Sequence, residues 1–227
     1  MPIRANALAV MAKAPIAGTV KTRLVPPLAH DQAADLSRAL LLDQLEHLAG
    51  LRDVALYVAF TPPQAEGLMQ RIASRSCPCF PQQGGDLGER MRGTLAELWG
   101  RGHRNAAIIG SDVVPPPLEI FYDAFQFLSS ADPRVVLGPS RDGGYYLIGM
   151  NRPTPEIFAD MTWSHDGVLR ETTARLVRLG VDYRLLPAWF DVDTAGDLEL
   201  LQSSDPSVHG AMKRTVNLLR RVDLWPR

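Results

Sequence analysis

The sequence has few cysteines, no long hydrophobic run and almost no net charge, and each absence excludes a class of protein. Its 227 residues include two cysteines, Cys77 and Cys79. Their spacing is too tight for an ordinary structural disulfide, and they are two ligands short of a closed zinc site, so we expect two small residues in a reduced strand. A net charge of −1 provides no overall field to attract nucleic acid or an anionic membrane surface.

The apolar stretches are strand-sized, and none approaches the length that a membrane-spanning helix needs. The N-terminal stretch also lacks a long apolar core followed by a small-residue cleavage site. We therefore expect a cytoplasmic protein with neither a membrane nor nucleic acid as partner. The sequence contains neither G-x-x-x-x-G-K-[ST] nor G-x-G-x-x-G, which disfavours a P-loop nucleotidase and a dinucleotide-dependent oxidoreductase.

Apolar, β-rich runs alternate with longer amphipathic runs along the chain, a pattern typical of α/β proteins. We predict a single domain over residues 1–227, a three-layer α/β/α sandwich with a mostly parallel, mixed sheet. The predicted strands are Ala7 to Ala12, Val54 to Phe60, Ala106 to Gly110, Val135 to Gly138, Tyr145 to Gly149 and Val181 to Leu186.

Leucine spacing predicts helices over 33–48 and 86–99, each with an apolar face on the sheet. Two further helix starts are predicted from capping signals, with Thr61 as the N-cap before Pro62 and with Thr194 and Asp197 as a capping box. The tail, about 210–224, is predicted to be a closing helix. It either packs on its own domain or contributes to a homodimer contact.

Ligands of open α/β sheets collect at the carboxyl ends of the strands, so the loop after the first strand is a candidate site. That loop, in AVMAKAPIAGTVKTRL, carries the cations Lys13, Lys21 and Arg23 together with Gly18. The glycine lets a ligand approach the backbone, and the cations can neutralise phosphate oxygens. The alternative is a surface loop whose cations are merely solvated.

Carboxylates follow two other predicted strands. Asp112 comes directly after the strand in AAIIGSD, and Asp191 and Asp193 are two apart in an extended segment, so that their side chains project to the same side. Carboxylate oxygens suit Mg²⁺ or Mn²⁺ holding a diphosphate. The alternatives are an Asx turn or helix cap at Asp112, and one solvated acid beside one helix-start acid in the later pair.

Two glycine-rich stretches are further candidates. In GPSRDGGYYLIGM, Gly143 and Gly144 after Asp142 admit a ligand or a second backbone at close range, and a plain hairpin turn is the alternative. In QQGGDLGERM, backbone amides and amide side chains suit a base or a sugar. The alternative there is helix capping by Asp86.

Taken in order, these motifs resemble the GT-A-fold nucleotide-diphospho-sugar transferase superfamily, which includes sugar-phosphate nucleotidyltransferases and many glycosyltransferases. More closely, MAKAPIAGTVKTRL, QQGGDLGERM, GSDVVP, GPSRDGGYYLIG, TWSHDGVL and DVDTAGDL are similar to a small bacterial family labelled glycosyltransferase-like or arsenosugar-biosynthesis transferase-like. The resemblance spans nearly the whole chain.

The resemblance implies a transferase with a phosphate loop and a metal site. The phosphate loop falls on Lys13, Gly18, Lys21 and Arg23, and the metal acids fall on Asp112 and Asp193 with Asp191 beside them. The implied catalytic residues are Lys13, Lys21, Arg23 and Asp112. The predicted nucleotide-binding set is Ala12, Gly18, Gln83, Gly85, Asp86, Ser111, Asp142, Gly143 and Gly144.

The reaction is open between two types of transfer. Three cations match a nucleoside triphosphate better than a nucleotide-diphospho-sugar, which favours nucleotidyl transfer to a phosphorylated acceptor with release of pyrophosphate. The family label favours glycosyl transfer from a nucleotide-diphospho-sugar, with Asp142 or Asp166 as base and 163–166 near the acceptor, although Trp163 is also a candidate packing residue. Each reaction has one departure from its family pattern. The first loop is less glycine-rich than in most nucleotidyltransferases, and this chain has the single acid Asp112 where many glycosyltransferases carry Asp-x-Asp.

A non-catalytic nucleotide-binding domain is the third possibility.

Overall fold

One seven-stranded sheet lies between two layers of helices. The computed structural model describes residues 3–73 and 77–225; residues 1–2, 74–76 and 226–227 of the predicted domain lie outside the described residues. The strands are β1 (Asn6–Lys13), β2 (Val54–Thr61), β3 (Cys79–Pro81), β4 (Asn105–Gly110), β5 (Arg134–Pro139), β6 (Tyr145–Met150) and β7 (Asp182–Leu185). The helices are α1 (His30–Leu48), α2 (Glu66–Ala73), α3 (Leu87–Gly100), α4 (Leu118–Leu128), α5 (Val168–Leu179), α6 (Ala195–Gln202), α7 (Pro206–Ala211) and α8 (Lys213–Arg221).

The strand order is β3-β2-β1-β4-β6-β5-β7. β6 is antiparallel to both of its neighbours, while the other four pairings are parallel, so β6 alone among these seven strands runs opposite to the rest. The predicted α/β class with a mostly parallel, mixed sheet is confirmed. β3 is absent from the predicted set because its three residues are too few to show an alternating pattern.

Alternating side chains of β1 divide the core between the two faces of the sheet. Leu8 and Val10 lie in one cluster with residues of α1, α2 and α4, whereas Ala7 and Ala9 lie in a second cluster with residues of α3 and α5. This two-residue period is what a strand buried on both faces requires. Helices therefore cover both faces, as predicted. Across 3–73 and 77–225, the helices are too short or too polar to cross a membrane.

Two of the predicted helix starts are confirmed and one is wrong. Asp86 accepts the Glu89 N–H at 2.8 Å as the N-cap of α3, and Asp197 accepts the Thr194 N–H at 2.7 Å at the start of α6. Thr61 is instead the last residue of β2. It stays extended because it pairs with Lys13 and its carbonyl accepts the Ala14 N–H, so the chain first turns helical at Pro63.

The closing helix predicted over about 210–224 is α8, which is shorter and ends at Arg221, and the short helix α7 precedes it. They are separated at Met212, whose backbone is not helical and whose side chain is fully buried. Asp43 of α1 accepts the backbone N–H of Thr215 at 2.8 Å and so caps α8. The tail therefore packs on its own domain.

Candidate active site

The candidate site lies at one edge of the sheet. β1, β3, β4, β5 and β7 run in the same direction, so the loops that follow them emerge at this edge, where β6 begins. The basic loop after β1 thereby meets Asp112 after β4 and the acidic segment after β7. This is the edge where open α/β sheets bind ligands.

Lys21 is the centre of the site. Its Nζ donates to Asp112 Oδ2 at 2.9 Å and to Asp193 Oδ1 at 2.7 Å. The Lys21 side chain is 5% exposed, whereas those of Asp112 and Asp193 are 34% and 41% exposed. The structure thus brings together one predicted phosphate-binding cation and two predicted metal acids in a single charged cluster.

The backbone at Lys21 directs its side chain into this cluster. Lys21 has φ 48 and ψ 35, in the left-handed region, and it precedes a short 3₁₀ helix, Thr22–Leu24, whose Leu24 is fully buried. A left-handed lysine is uncommon, and the ion pairs and the Leu24 anchor hold it in place.

Mutual attraction keeps the pair charged. Burial by itself would lower the pKa of the Lys21 ammonium, but Asp112 and Asp193 outweigh burial and hold that pKa above its ordinary value. Burial acts against the Asp112 carboxylate too, and Lys21 outweighs it, so that the pKa of Asp112 is lowered. Lys21 and Asp112 therefore both carry their charges at neutral pH.

The rest of the first loop lies beside the cluster, and residues 16–19 of it are exposed. Lys13 Nζ donates to the Thr19 carbonyl at 2.7 Å, which closes the loop on itself. Gly18 has φ +77, and a Cβ built there meets no atom within 4 Å. Arg23 is exposed on the 3₁₀ helix, whereas Ala12 is buried in the core and lies outside the lining of this cavity, so a ligand-binding role of Ala12 stays a prediction.

A polar cavity of about 210 Å³ lies between this loop and the acids. Its lining is Met11, Lys13, Thr19, Val20, Lys21, Ser37, Leu40, Ser111, Asp112 and Asp193. Thr19 and Ser37 are missing from the predicted site. The signal at Ser37 is a polar residue within the leucine stripe of α1, where it is buried in a position that the helix pattern reserves for apolar side chains.

A second cavity of about 310 Å³ adjoins the polar one, and Met11 and Asp112 line both. Most of its other walls are apolar or aromatic: Leu87, Met91, Ile108, Ile109, Gly110, Val113, Tyr145, Tyr146, Leu147 and Ile148, with Asp191. Most of the apolar residues lie in predicted strands or in the predicted helix over 86–99, and periodicity alone cannot distinguish the lining of a pocket from core.

Asp191 and Asp193 flank Asp112 on its two sides. Val192 between them is fully buried, so the extended alternation turns both acids away from the core, as predicted. They then diverge, because Asp193 lines the polar cavity with Lys21 while Asp191 lines the apolar one. Burial and the charges of Asp112 and Asp193 raise the pKa of Asp191 to about 7.

The turn at 140–144 joins β5 to β6 and is a hairpin connection, the alternative that the sequence left open. Asp142 Oδ1 accepts the Gly144 N–H at 3.0 Å and also contacts the Ser140 hydroxyl. Gly143 has φ +87, and a Cβ there would lie 2.1 Å from the Asp166 carbonyl oxygen. The close neighbour of this glycine is thus a second backbone. Among the described residues, 142–144 lie outside the lining of the two cavities.

The loop before α3 is held by its own residues. Glu89 Oε2 accepts the Gly85 N–H at 2.7 Å while Asp86 caps the helix. Arg90 donates to the carbonyl oxygens of Gly84 and Gly85, each at 3.2 Å. Gln83 lines a separate cavity with Phe80, Pro81, Gly93, Ala96 and Glu97. Helix capping therefore accounts for Asp86, and a base-binding role of Gln83, Gly85 and Asp86 stays a prediction.

Trp163 packs against the protein interior. Its ring lies where a Cβ on Gly88 would sit, at 2.5 Å, and its centroid is 6.4 Å from that of Phe158. His165 Nδ1 accepts the Gly167 N–H at 3.0 Å. Packing accounts for Trp163, and an acceptor site around 163–166 stays a prediction.

The donor atoms at the cluster fit a divalent ion in type. Carboxylate oxygens are the ligands that Mg²⁺ and Mn²⁺ prefer. In arrangement, however, the ammonium of Lys21 holds the position between Asp112 and Asp193. Within 3–73 and 77–225, no group of three or more His, Cys, Asp or Glu side chains is placed to hold a metal ion.

Comparison with protein families identifies one match: the model described as "Uncharacterized protein conserved in bacteria (DUF2064)" matches residues 44–165, more than half of the chain. A search of curated proteins finds no match. The matched region begins within α1 and includes Asp112, the hairpin turn and most of the TWSHDG segment, while the basic loop precedes it.

Solved structures support the fold. A protein of Desulfovibrio desulfuricans G20, provisionally assigned as a nucleotide-diphospho-sugar transferase, is 28% identical over 97% of this chain and 99% of its own, with a TM-score of 0.85. A cytidylyltransferase from Leptospira borgpetersenii serovar Hardjo-bovis (strain JB197) is 14% identical over 98% and 94%, with a TM-score of 0.57. A CMP:2-keto-3-deoxy-manno-octonic acid synthetase complexed with CTP is 14% identical over 86% and 96%, with a TM-score of 0.54. The resemblance to the superfamily and the transferase class are confirmed.

Proposed function

We propose that this chain, which belongs to the DUF2064 family of bacterial proteins, transfers a nucleotidyl group from a nucleoside triphosphate to a phosphorylated small molecule. The observation that carries the proposal is the polar cavity, in which the basic loop after β1 faces Asp112 and Asp193. Lys13, Lys21 and Arg23 supply three positive charges at this edge, which match a triphosphate better than a diphosphate. This substrate class fits a cytoplasmic enzyme, the location that we propose.

In the proposed reaction, an oxygen of the acceptor phosphate attacks the α-phosphorus in line. A new O–P bond forms, the bond from the α-phosphorus to the bridging oxygen breaks, and pyrophosphate leaves with the electron pair. Lys13, Lys21 and Arg23 neutralise the charge on the departing pyrophosphate. Positioning and charge neutralisation supply most of the catalysis, and no covalent enzyme intermediate is needed.

Mg²⁺ or Mn²⁺ is the proposed cofactor, held by Asp112 and Asp193 with Asp191 adjacent, and it would supply further neutralisation of phosphate charge. The adjoining cavity of about 310 Å³ is the proposed acceptor site. Its walls of Met91 and Tyr145 suit an acceptor with an apolar face, and it opens at Asp112 toward the polar cavity.

Glycosyl transfer from a nucleotide-diphospho-sugar is the second candidate, and the 28% identity to the D. desulfuricans protein favours it. The same cavity would then bind the diphosphate of the donor. A hydroxyl of the acceptor would attack the sugar carbon, with nucleoside diphosphate leaving.

Reverse-reaction assays distinguish the two candidates without knowledge of the acceptor. The protein is incubated with Mg²⁺ or Mn²⁺, radiolabelled pyrophosphate and a panel of nucleotide-diphospho-sugars of all common bases. A nucleotidyltransferase joins labelled pyrophosphate to the nucleotidyl group and forms labelled nucleoside triphosphate and sugar phosphate. A glycosyltransferase passes the sugar to water when no acceptor is present, and releases nucleoside diphosphate without label. Asp112→Asn serves as the negative control. Release of nucleoside diphosphate alone would contradict nucleotidyl transfer, and no product from any pairing would favour a non-catalytic domain.

A further inference from the structure

Lys21 occupies the place where a divalent ion would bind Asp112 and Asp193. Its Nζ lies 2.9 Å from Asp112 Oδ2 and 2.7 Å from Asp193 Oδ1, and its side chain is 5% exposed. An ion that bridged these two oxygens would lie within contact distance of the ammonium, and two cations so close repel each other strongly. The metal and Lys21 therefore compete for the same carboxylates.

The cavity beside the cluster offers Lys21 a second partner. Lys13, Thr19 and Ser111 line the same cavity of about 210 Å³ as Lys21. A lysine is a point charge on a flexible stem, so its ammonium can follow a phosphate without a change of backbone. A polyphosphate in this cavity gives the ammonium an anion to replace the carboxylates.

We propose that Lys21 is the resident counter-ion of the Asp112 and Asp193 pair, and that a divalent metal binds there only together with a polyphosphate that takes over the Lys21 ammonium. This inference rests on the proposed function, which assigns the metal and the phosphates to this cavity. By linkage, polyphosphate and metal raise each other's affinity by the same factor. Each ligand alone is therefore expected to bind the free protein more weakly than it binds with the other present.

Binding of Mn²⁺ to the metal-free protein, measured by electron paramagnetic resonance without nucleotide, tests the first half of the proposal. Wild type is expected to bind Mn²⁺ weakly and Lys21→Met at least about tenfold more tightly, because the substitution removes a charge in contact with both ligands. Lys13→Met is the matched control. It removes the same charge from the same cavity, but Lys13 contacts the Thr19 carbonyl and not the two carboxylates, so the Mn²⁺ affinity should rise much less than in Lys21→Met. Lys21→Arg keeps the cation and should also remain weak.

The second half is tested first in wild type, where no variant has to fold and where an Mn²⁺ affinity unchanged by polyphosphate would overturn the proposal, and then by comparison with Lys21→Met. Water proton relaxation, which distinguishes protein-bound from free Mn²⁺, is measured with and without inorganic tripolyphosphate. Tripolyphosphate is expected to raise the Mn²⁺ affinity of wild type by at least about tenfold and that of Lys21→Met by much less. Equal affinity of wild type and Lys21→Met for Mn²⁺ alone would overturn the proposal, as would equal effects of tripolyphosphate. Neither result depends on the pyrophosphate exchange assay, whose failure would contradict the proposed function alone.

Discussion

Two glycine-containing loops at the same edge of the sheet differ in how closely the rest of the chain packs on them. The loop at 14–21 leaves Gly18 open, with no atom within 4 Å of a Cβ built there, whereas the turn at 140–144 presses Gly143 against the Asp166 backbone. Both glycines have positive φ, and each has a basic residue close by in sequence, Lys21 after Gly18 and Arg141 before Gly143. The comparison teaches that a glycine at a strand end admits either a ligand or another part of the chain, and that only its neighbours decide which.

The largest effect is expected from Gly143→Ala. The new Cβ would lie 2.1 Å from the Asp166 carbonyl oxygen, and the backbone has φ +87, so the free energy of unfolding should fall by about 3 kcal/mol. Gly18→Ala is the matched control. It meets open space at φ +77 and should cost about 1 kcal/mol. Urea unfolding measures both, and equal losses would show that the two loops do not differ in packing.

Lys13→Met tests the same comparison through activity. Lys13 lines the polar cavity, and its loss should lower kcat/KM on the order of 100-fold if the proposed reaction holds. Arg141→Met removes a cation from the closed turn, where Arg141 lies over the Phe190 ring at 5.8 Å, and should change activity less than about twofold. Comparable losses in the two variants would contradict the assignment of the open loop as the phosphate site.

Asp197→Ala tests how the acidic segment is held. Asp197 Oδ2 accepts the N–H groups of Asp193 and Thr194, so its removal should cost about 1 kcal/mol of stability and loosen Asp193. Thermal unfolding measures the first effect. Asp205→Ala is the control. It removes the side-chain cap of a different helix, α7, and should leave the affinity for phosphate unchanged.

The pH dependence of stability tests Asp191, whose pKa is raised to about 7. Between its ordinary pKa, about 4, and pH 7, the folded protein keeps a proton that the unfolded chain has lost, so stability falls as the pH rises through this window. Asp191→Asn should remove that fall and stabilise the protein at pH 8. Asp193→Asn breaks a contact with Lys21 and should destabilise it at the same pH. Urea unfolding at pH 5 and pH 8 in EDTA checks both variants. If the unfolding free energy of Asp191→Asn falls between these pH values as much as that of wild type, the raised pKa does not belong to Asp191.

Local patterns predicted most of the fold. The strands near Ala7, Val54 and Ala106 have strand-length apolar runs, and Asp86 and Thr194 carry capping chemistry within one turn, so the few residues around each suffice to determine it. The helix start predicted at Thr61 was wrong because the residue pairs with β1, which is distant in sequence and keeps Thr61 extended. The closing helix was predicted, but the sequence around it could not show where it begins, because its cap is Asp43 on the distant helix α1.

The sequence by itself determined the order of strands and helices, the residue types at the sheet edge and the charge of the first loop, since each depends on neighbours within a few positions. The tertiary structure alone decided that Lys21 lies between Asp112 and Asp193, 91 and 172 positions away, and that Asp191 turns to the other cavity. It also decided that Gly18 is open and Gly143 is closed. The physical reason is that a side chain's partners are set by which strands become neighbours, and strand neighbours are separated by loops and helices of any length.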